Sequence, residues 1–460
     1  MRKTRKSTFL LLAALMLMIS ACSNSSGGSG GGSDGSSSSS GNQTDSGNSG
    51  TSNTSNLKDV YSITISENIK HGSVAADKET AKKDDSINLT ITPESEYVLT
   101  SICVISSDGN KKYLSGRKDY IEIKMPEDDI TITATFDLPP NTLLKELSAG
   151  TDGTAGKEWT YVLLGDYPQT VKAKDVTVDE ERYIIRGYNK YMKGSDGAWY
   201  FKCEQQHYLV KDNYTYSDGS EVTREDKGTY NYFKVEPIKW RVLTEDYNGK
   251  KLLLAEKVLF PCLFDNWNGE TRIIDNKTVY QNNYEYSNVR QLLNKEFLEA
   301  AFSVAAKEQI CNTLVVNNVE STLLYNYSSD IDYNDNDIPK DGKNDYVCPD
   351  TTDKIFALSV KEATNPDYGF YKLSDEFSGW NSSPLSHLNA LQRDVTDYYL
   401  SQDGNGNLGG TSWYLRSPFF KTGIFPNRGN EGCIYNVDRD NIKGTGVHFK
   451  IGVLPALCVE

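Results

Sequence analysis

Residues 23–56, SNSSGGSGGGSDGSSSSSGNQTDSGNSGTSNTSN, contain no apolar side chain. A segment that can bury nothing has no gain to set against its ordering entropy, so it stays an unstructured coil. As a Gly/Ser chain its root-mean-square reach is roughly 30–35 Å. It is a tether, and everything able to fold lies after it. The G-x-S-x-G-like strings inside it are composition and not the strained turns that present a nucleophile.

Before the tether, Arg2, Lys3, Arg5 and Lys6 precede the apolar run Phe9–Ile19. Such a run, at about 1.5 Å per residue, covers roughly half of a bilayer core, which fits a secretory signal and not a spanning helix. Ile19-Ser20-Ala21-Cys22 closes it and resembles a bacterial lipobox. That resemblance implies residues 1–21 as a signal peptide removed by signal peptidase II, and Cys22 as the diacylglycerol and palmitate attachment site. Residues 22–58 are then the lipidated Cys and its linker. One acyl chain holds weakly and several hold firmly, so the membrane is the expected partner through Cys22. The expected location is the cell envelope, outside the cytoplasmic membrane, on an outer membrane or the cell surface. The formal net charge is −14 and becomes more negative by four once the basic head is cleaved. A chain this acidic excludes nucleic acid as a partner and argues against electrostatic docking on anionic lipid.

From residue 59 to 138 the pattern is alternation. Ile63 and Ile65, then Ile87, Leu89 and Ile91, then Ile130, Ile132 and Phe136 recur at period two between turn signals, predicting half-buried strands in a small all-β domain. The stretch HGSVAADKETAKKDDSINLTITPESEYVL and the closing YIEIKMPEDDITITATF resemble the bacterial repeat of internalin B-repeat type, with Asp85 and Glu96 at positions where that family carries Gly. The resemblance implies a spacer, and no site is predicted in it.

Residues 142–460 mix short strand-like runs with few helices. Their clearest helix is 287–302, with Ser287 as N-cap and Val289, Leu292, Leu293, Ala300 and Ala301 on one face. Ser303 offers a cap for a second, short helix. The expected class is a large irregular α+β domain. LLGDYPQT (163–170), EPIKWRVL (236–243), SNVRQLLNKEFLEAAFS (287–303), DTTDKIFALSVKEA (350–363), WYLRSP (413–418) and GVLPAL (452–457) occur in an order that resembles the bacterial domain of unknown function 6273. Leu454 and Tyr414 replace the Arg and Trp usual there. The ending of that family is similar to C-type-lectin-like and formylglycine-generating-enzyme-like domains, which implies a C-type-lectin-like core.

The search for chemistry is mostly negative. There is no H-E-x-x-H, no C-x-x-C and no phosphate-binding loop, and His71, His207, His387 and His448 have no close sequence partners. No cofactor and no metal site is expected. Asp330, Asp332, Asn334 and Asp341 mimic calcium-loop spacing, but Asp335 stands where Gly is needed and Asp341 where Glu is needed, so 330–345 reads as a solvated acidic loop. Cys203, Cys262, Cys311, Cys348, Cys433 and Cys458 permit three disulfides or a set of buried thiols, while Cys103 reads as a buried free thiol.

The chain holds 29 Tyr and 6 Trp, side chains that present an apolar plane with a polar edge. Their use in binding is expected after WYLRSP, in the Gly/Asn-rich span 419–436. The binding candidates are Tyr414, Phe419, Phe420, Asn427, Arg428, Asn430 and Tyr435; Trp240, Trp413 and Arg416 are expected to be structural. Within 413–418, Trp413 and Leu415 should face inward, with Tyr414 and Arg416 on the other side. The expected function is non-catalytic binding of a carbohydrate, an envelope polymer or a protein. The alternatives are an enzyme on a formylglycine-generating-like scaffold and a structural envelope protein without a ligand.

Overall fold

The computed structural model describes residues 59–116, 119–151, 158–206, 214–267, 271–323, 325, 344–370, 393–402, 412–419, 433–438 and 441–460. The expected signal peptide, Cys22 and its linker, most of the acidic loop, and Phe420, Asn427, Arg428 and Asn430 lie outside the described residues.

Alternation in 61–137 produces two facing sheets. One has strand order Thr80–Ala81, Tyr61–Ile65, Ile130–Asp137, Val98–Ser106, Lys111–Tyr113; the other has Gly72–Ala76, Ser86–Pro93, Tyr120–Lys124. Ile87, Leu89, Ile91, Ile130, Ile132 and Phe136 all point into the core between them. Glu96, at a position the repeat family gives to Gly, adopts φ +68°, and the ring of the adjacent Tyr97 stacks on His71 at 4.1 Å.

Strand Val98–Ser106 breaks the alternation. Its residues 99–104 are all buried, because the strand is covered on both faces. Val98 packs against a cluster of Ile184, Tyr191, Trp199 and Val235 from the C-terminal region. Asp137, the last residue of strand Ile130–Asp137, accepts from Arg182 Nε at 2.7 Å and Nη2 at 2.5 Å and from Thr100 at 2.7 Å. Trp199 Nε1 donates to the Leu138 carbonyl at 3.1 Å. The small domain is thus fastened to the C-terminal region, and residues 58–460 form one unit.

The C-terminal region is built on the strand Tyr230–Thr244. It pairs with Trp199–Glu204 and Lys251–Ala255, and with Tyr161–Val171 along its other edge through two register shifts. The sheet continues outward through Asn189–Gly194 and Val178–Arg186 on one side, and through Ala456–Val459 and Ile355–Phe356 on the other. A second sheet has the order Phe260–Cys262, Ile451–Val453, Trp413–Pro418, Cys433–Asp438, Asn441–Gly446. Gly452 lies where Ile451–Val453 meets Trp413–Pro418; a Cβ there would sit 2.6 Å from the Ser412 carbonyl oxygen, so no larger residue fits.

The helix runs over 288–301. The Ser287 side chain caps it by accepting from the Arg290 amide, and Ser303 caps Val304–Glu308 in the same way. A π turn, Leu293–Phe297, interrupts it. There Asn294 accepts from the amides of Lys354 and Ile355 and donates to the Ile355 carbonyl, tying the helix to the sheet edge.

The α+β, C-type-lectin-like expectation is corrected by this architecture, which is mostly β. Beyond residues 288–308 the described α-helices are short, Val360–Ala363 and Asp397–Gln402. The reason lies in segments without a continuous apolar run. Residues 178–204 alternate Tyr, Ile and Met with charged residues around the turn at Gly187 and form a three-stranded meander. Tyr230–Thr244 extends six residues upstream of the motif EPIKWRVL (236–243) that marks it in the sequence.

Candidate functional site

Arg416 is where the buried charge of the C-terminal domain concentrates. Its strand, Trp413–Pro418, runs between Cys433–Asp438 and Ile451–Val453, and every residue of it is buried. The guanidinium uses all five of its N–H donors. Nη1 donates to Glu362 Oε2 at 2.5 Å and to the Ala357 carbonyl at 2.8 Å. Nη2 donates to Glu362 Oε1 at 2.8 Å and to the Val316 carbonyl at 3.1 Å, and Nε to Asn317 Oδ1 at 3.2 Å. The fork-to-fork pairing with Glu362 is the strong, geometrically specific form of this contact.

Glu362 is equally occupied. Oε1 also accepts from the Tyr247 hydroxyl at 2.6 Å and Oε2 from the Ser359 amide at 2.8 Å. Ser359 returns the contact by accepting from the Glu362 amide, a capping box that starts the helical turn Val360–Ala363. Burial alone would raise the Glu362 pKa, but the Arg416 charge, with the Tyr247 and Ser359 hydrogen bonds, holds it below the ordinary glutamate value. Burial and the Glu362 charge push the Tyr247 phenol well above its ordinary value. The Phe356 ring supports the group, stacked on Tyr247 at 6.3 Å and 5.8 Å from the Arg416 guanidinium carbon.

Above this floor opens a cavity of about 330 Å³. Tyr247, Tyr325 and Tyr368 line it together with Asn248, Asn318 and Asn365. Tyr325 is placed by its amide, which donates to Thr364 Oγ1 at 2.9 Å. Tyr368 closes a 3₁₀ turn capped by Asn365; burial, reinforced by the Glu362 charge, pushes its phenol up to about 12. Asn318 caps the turn Val319–Thr322 by accepting from the Ser321 amide. At the rim Lys361 pairs with Glu320.

Of the binding candidates, Tyr414 and Phe419 belong to the core. Tyr414 is 1% exposed and Phe419 is 0% exposed. The Tyr414 hydroxyl donates to the Phe449 carbonyl and accepts from the Phe264 amide, and its ring meets Phe264 edge-on at 5.4 Å. Alternation does separate Trp413 and Leu415 from Tyr414 and Arg416, but both sides of the strand are covered, so neither pair reaches solvent. Tyr435 lies on strand Cys433–Asp438 opposite Gly444. Trp240 is fully buried, with Nε1 donating to the Leu164 carbonyl at 2.8 Å.

Cys103, Cys203, Cys262, Cys311, Cys348 and Cys458 are free thiols, so among the described residues the disulfide option is not realised. Burial pushes Cys203 up to about 12, and Cys348 and Cys458 up to about 11. Among the described residues no group of His, Cys, Asp and Glu is arranged to hold a metal ion.

The cavity residues Tyr247, Glu362, Tyr325, Tyr368 and Asn318 escape the sequence reading. Only Glu362 left a local signal, the Ser359-x-x-Glu362 spacing inside the motif at 350–363.

Residues 248–460 match the family described as a domain of unknown function (DUF6273). No curated protein matches the chain, and no solved structure does. The match begins in the turn between Tyr230–Thr244 and Lys251–Ala255, which pair through Trp240 and Ala255. The sheet that carries the DUF6273 domain therefore extends upstream of the matched residues.

Proposed function

We propose that this chain, with its DUF6273 domain, is a lipid-anchored protein of the bacterial envelope whose C-terminal region binds an extracellular ligand without transforming it. The observation that carries the binding reading is the cavity above Arg416. A guanidinium with five acceptors and a carboxylate with four donors have nothing left for proton transfer. What meets an incoming ligand is tyrosine rings and asparagine amides, the chemistry of recognition. The anchoring reading rests on the basic head, the apolar run and the lipobox-like sequence ending at Cys22. The small sandwich, with its resemblance to internalin-type repeats, acts as a rigid N-terminal support for the binding region.

Two experiments test the two halves. In a bacterial host, labelled palmitate should enter the full chain, and Cys22→Ser should abolish labelling and release the protein from the membrane fraction. Persistent labelling of the variant removes the anchor. Residues 58–460 screened on glycan and matrix-protein arrays should yield a ligand lost on Tyr368→Ala. A ligand that is turned over, or binding indifferent to Tyr368, overturns the binding reading.

A further inference from the structure

We infer that the cavity takes an uncharged, hydroxyl-rich ring, the terminal sugar unit of a glycan; this rests on its being a binding site at all. A buried arginine beside a pocket ordinarily points to an anion, but here the hydrogen-bond count removes that option. All five N–H groups of Arg416 already have acceptors, two of them on Glu362. The floor is therefore an internally neutralised pair, and an anionic ligand would find no free donor there and a carboxylate nearby. The rim repeats the cancellation, since Lys361 and Glu320 neutralise each other. A cation fares no better, because both oxygens of Glu362 are already taken by Tyr247, Ser359 and Arg416.

The walls offer what remains. Asn318 uses its side-chain oxygen as a cap and keeps its Nδ2 donors for the mouth. Asn248 and Asn318 are both exposed there, and the rings of Tyr325 and Tyr368 are partly open beside them. A sugar ring matches this combination, with an apolar C–H face for an aromatic plane and hydroxyls that both donate to and accept from amides. The size agrees: a cavity of about 330 Å³ lies near the lower end of the ligand-site range of roughly 300–1,000 Å³, fitting one or two rings and not a polymer strand.

The test uses residues 58–460 and saturation-transfer NMR, with titration calorimetry for every hit. The panel holds neutral hexoses and N-acetylhexosamines, the acidic sugars glucuronate and N-acetylneuraminate, and short acidic and basic peptides. A neutral sugar should bind with an affinity insensitive to salt between 50 and roughly 500 mM, as expected without ionic contacts. Tyr368→Ala should weaken it at least tenfold. Asn318→Asp keeps the cap oxygen and removes the amide donors; it should weaken binding with an unchanged melting midpoint, which separates the effect from loss of fold. Salt-sensitive binding of an acidic sugar or a peptide, lost in the same variants, overturns the ligand class and leaves the cavity as a binding site. Absence of any ligand from the panel, together with array binding that neither variant changes, overturns both.

Discussion

The two folded parts of this chain place their charges in opposite ways. In the small sandwich the interior is apolar, and ion pairs such as Lys83–Glu127 and Lys124–Glu122 sit on the outside. In the C-terminal region arginines enter the structure. Arg416 meets Glu362, Arg241 meets Glu256, Arg290 meets Asp353 and Arg272 meets Asp265, each with at least one partner largely withdrawn from water. Apolar burial fills the sandwich interior, and most of its strand faces follow from alternation; its buried carboxylate, Asp137, turns to Arg182 of the C-terminal region. The C-terminal region also carries charges that cannot be left unmatched, and these fix which loops meet. Arg416 alone gathers segments at 316–317, 357 and 362 around one strand.

The largest expected effect tests that contrast directly. Arg416→Ala strands the Glu362 carboxylate in the interior and should cost about 3–5 kcal/mol. The whole C-terminal region should lose cooperativity in urea, followed by tryptophan fluorescence. All six Trp lie beyond residue 158, so the signal reports the C-terminal region and, through Trp199, its contact with Leu138, while the sandwich core can be followed separately by hydrogen exchange. If Arg416→Ala melts like the parent chain, the arginine is not an organising group.

A smaller effect should come from acid. The Glu362 pKa lies below its ordinary value in the folded chain. Its stabilisation is therefore complete above the unfolded glutamate value of about 4.3 and is lost as pH falls through the lowered native value. The tryptophan-reported transition should weaken below about pH 4, while exchange protection at Ile87, Leu89 and Ile132 should hold longer. Parallel loss of both would erase the distinction between the two parts. The smallest effect belongs to Lys83→Ala, which removes an exposed pair and should leave the melting midpoint unchanged.

What the sequence discloses tracks the same division. Ile87, Leu89 and Ile91 announce a strand because period-two alternation is local, and Ser287 and Ser303 announce helix starts because capping is local. Arg416 stands out because an arginine between Leu415 and Ser417, in a run that includes Trp413 and Tyr414, has few other uses. Its partner was hidden. Glu362 lies 54 residues away, and its S-x-x-E setting reads as an ordinary surface cap, whereas here one carboxylate serves both cap and ion pair. Tyr414 and Phe419 were misplaced for a related reason. Alternation implies one wet face only when a strand is covered on one side, and Trp413–Pro418 is covered on both. The tyrosines of the cavity come from positions 247, 325 and 368, a spread that no local pattern connects.

Strand Ala456–Val459 has a consequence for how the region assembles. It lies between Lys251–Ala255 and Ile355–Phe356, partners made about 200 and about 100 residues earlier. Until it arrives, both earlier strands expose unpaired backbone along the gap it will fill. Contacts spanning such separations close slowly, so a chain emerging from its N-terminus can complete the small sandwich well before the large sheet. The large sheet therefore cannot lock until strand 456–459 has been made.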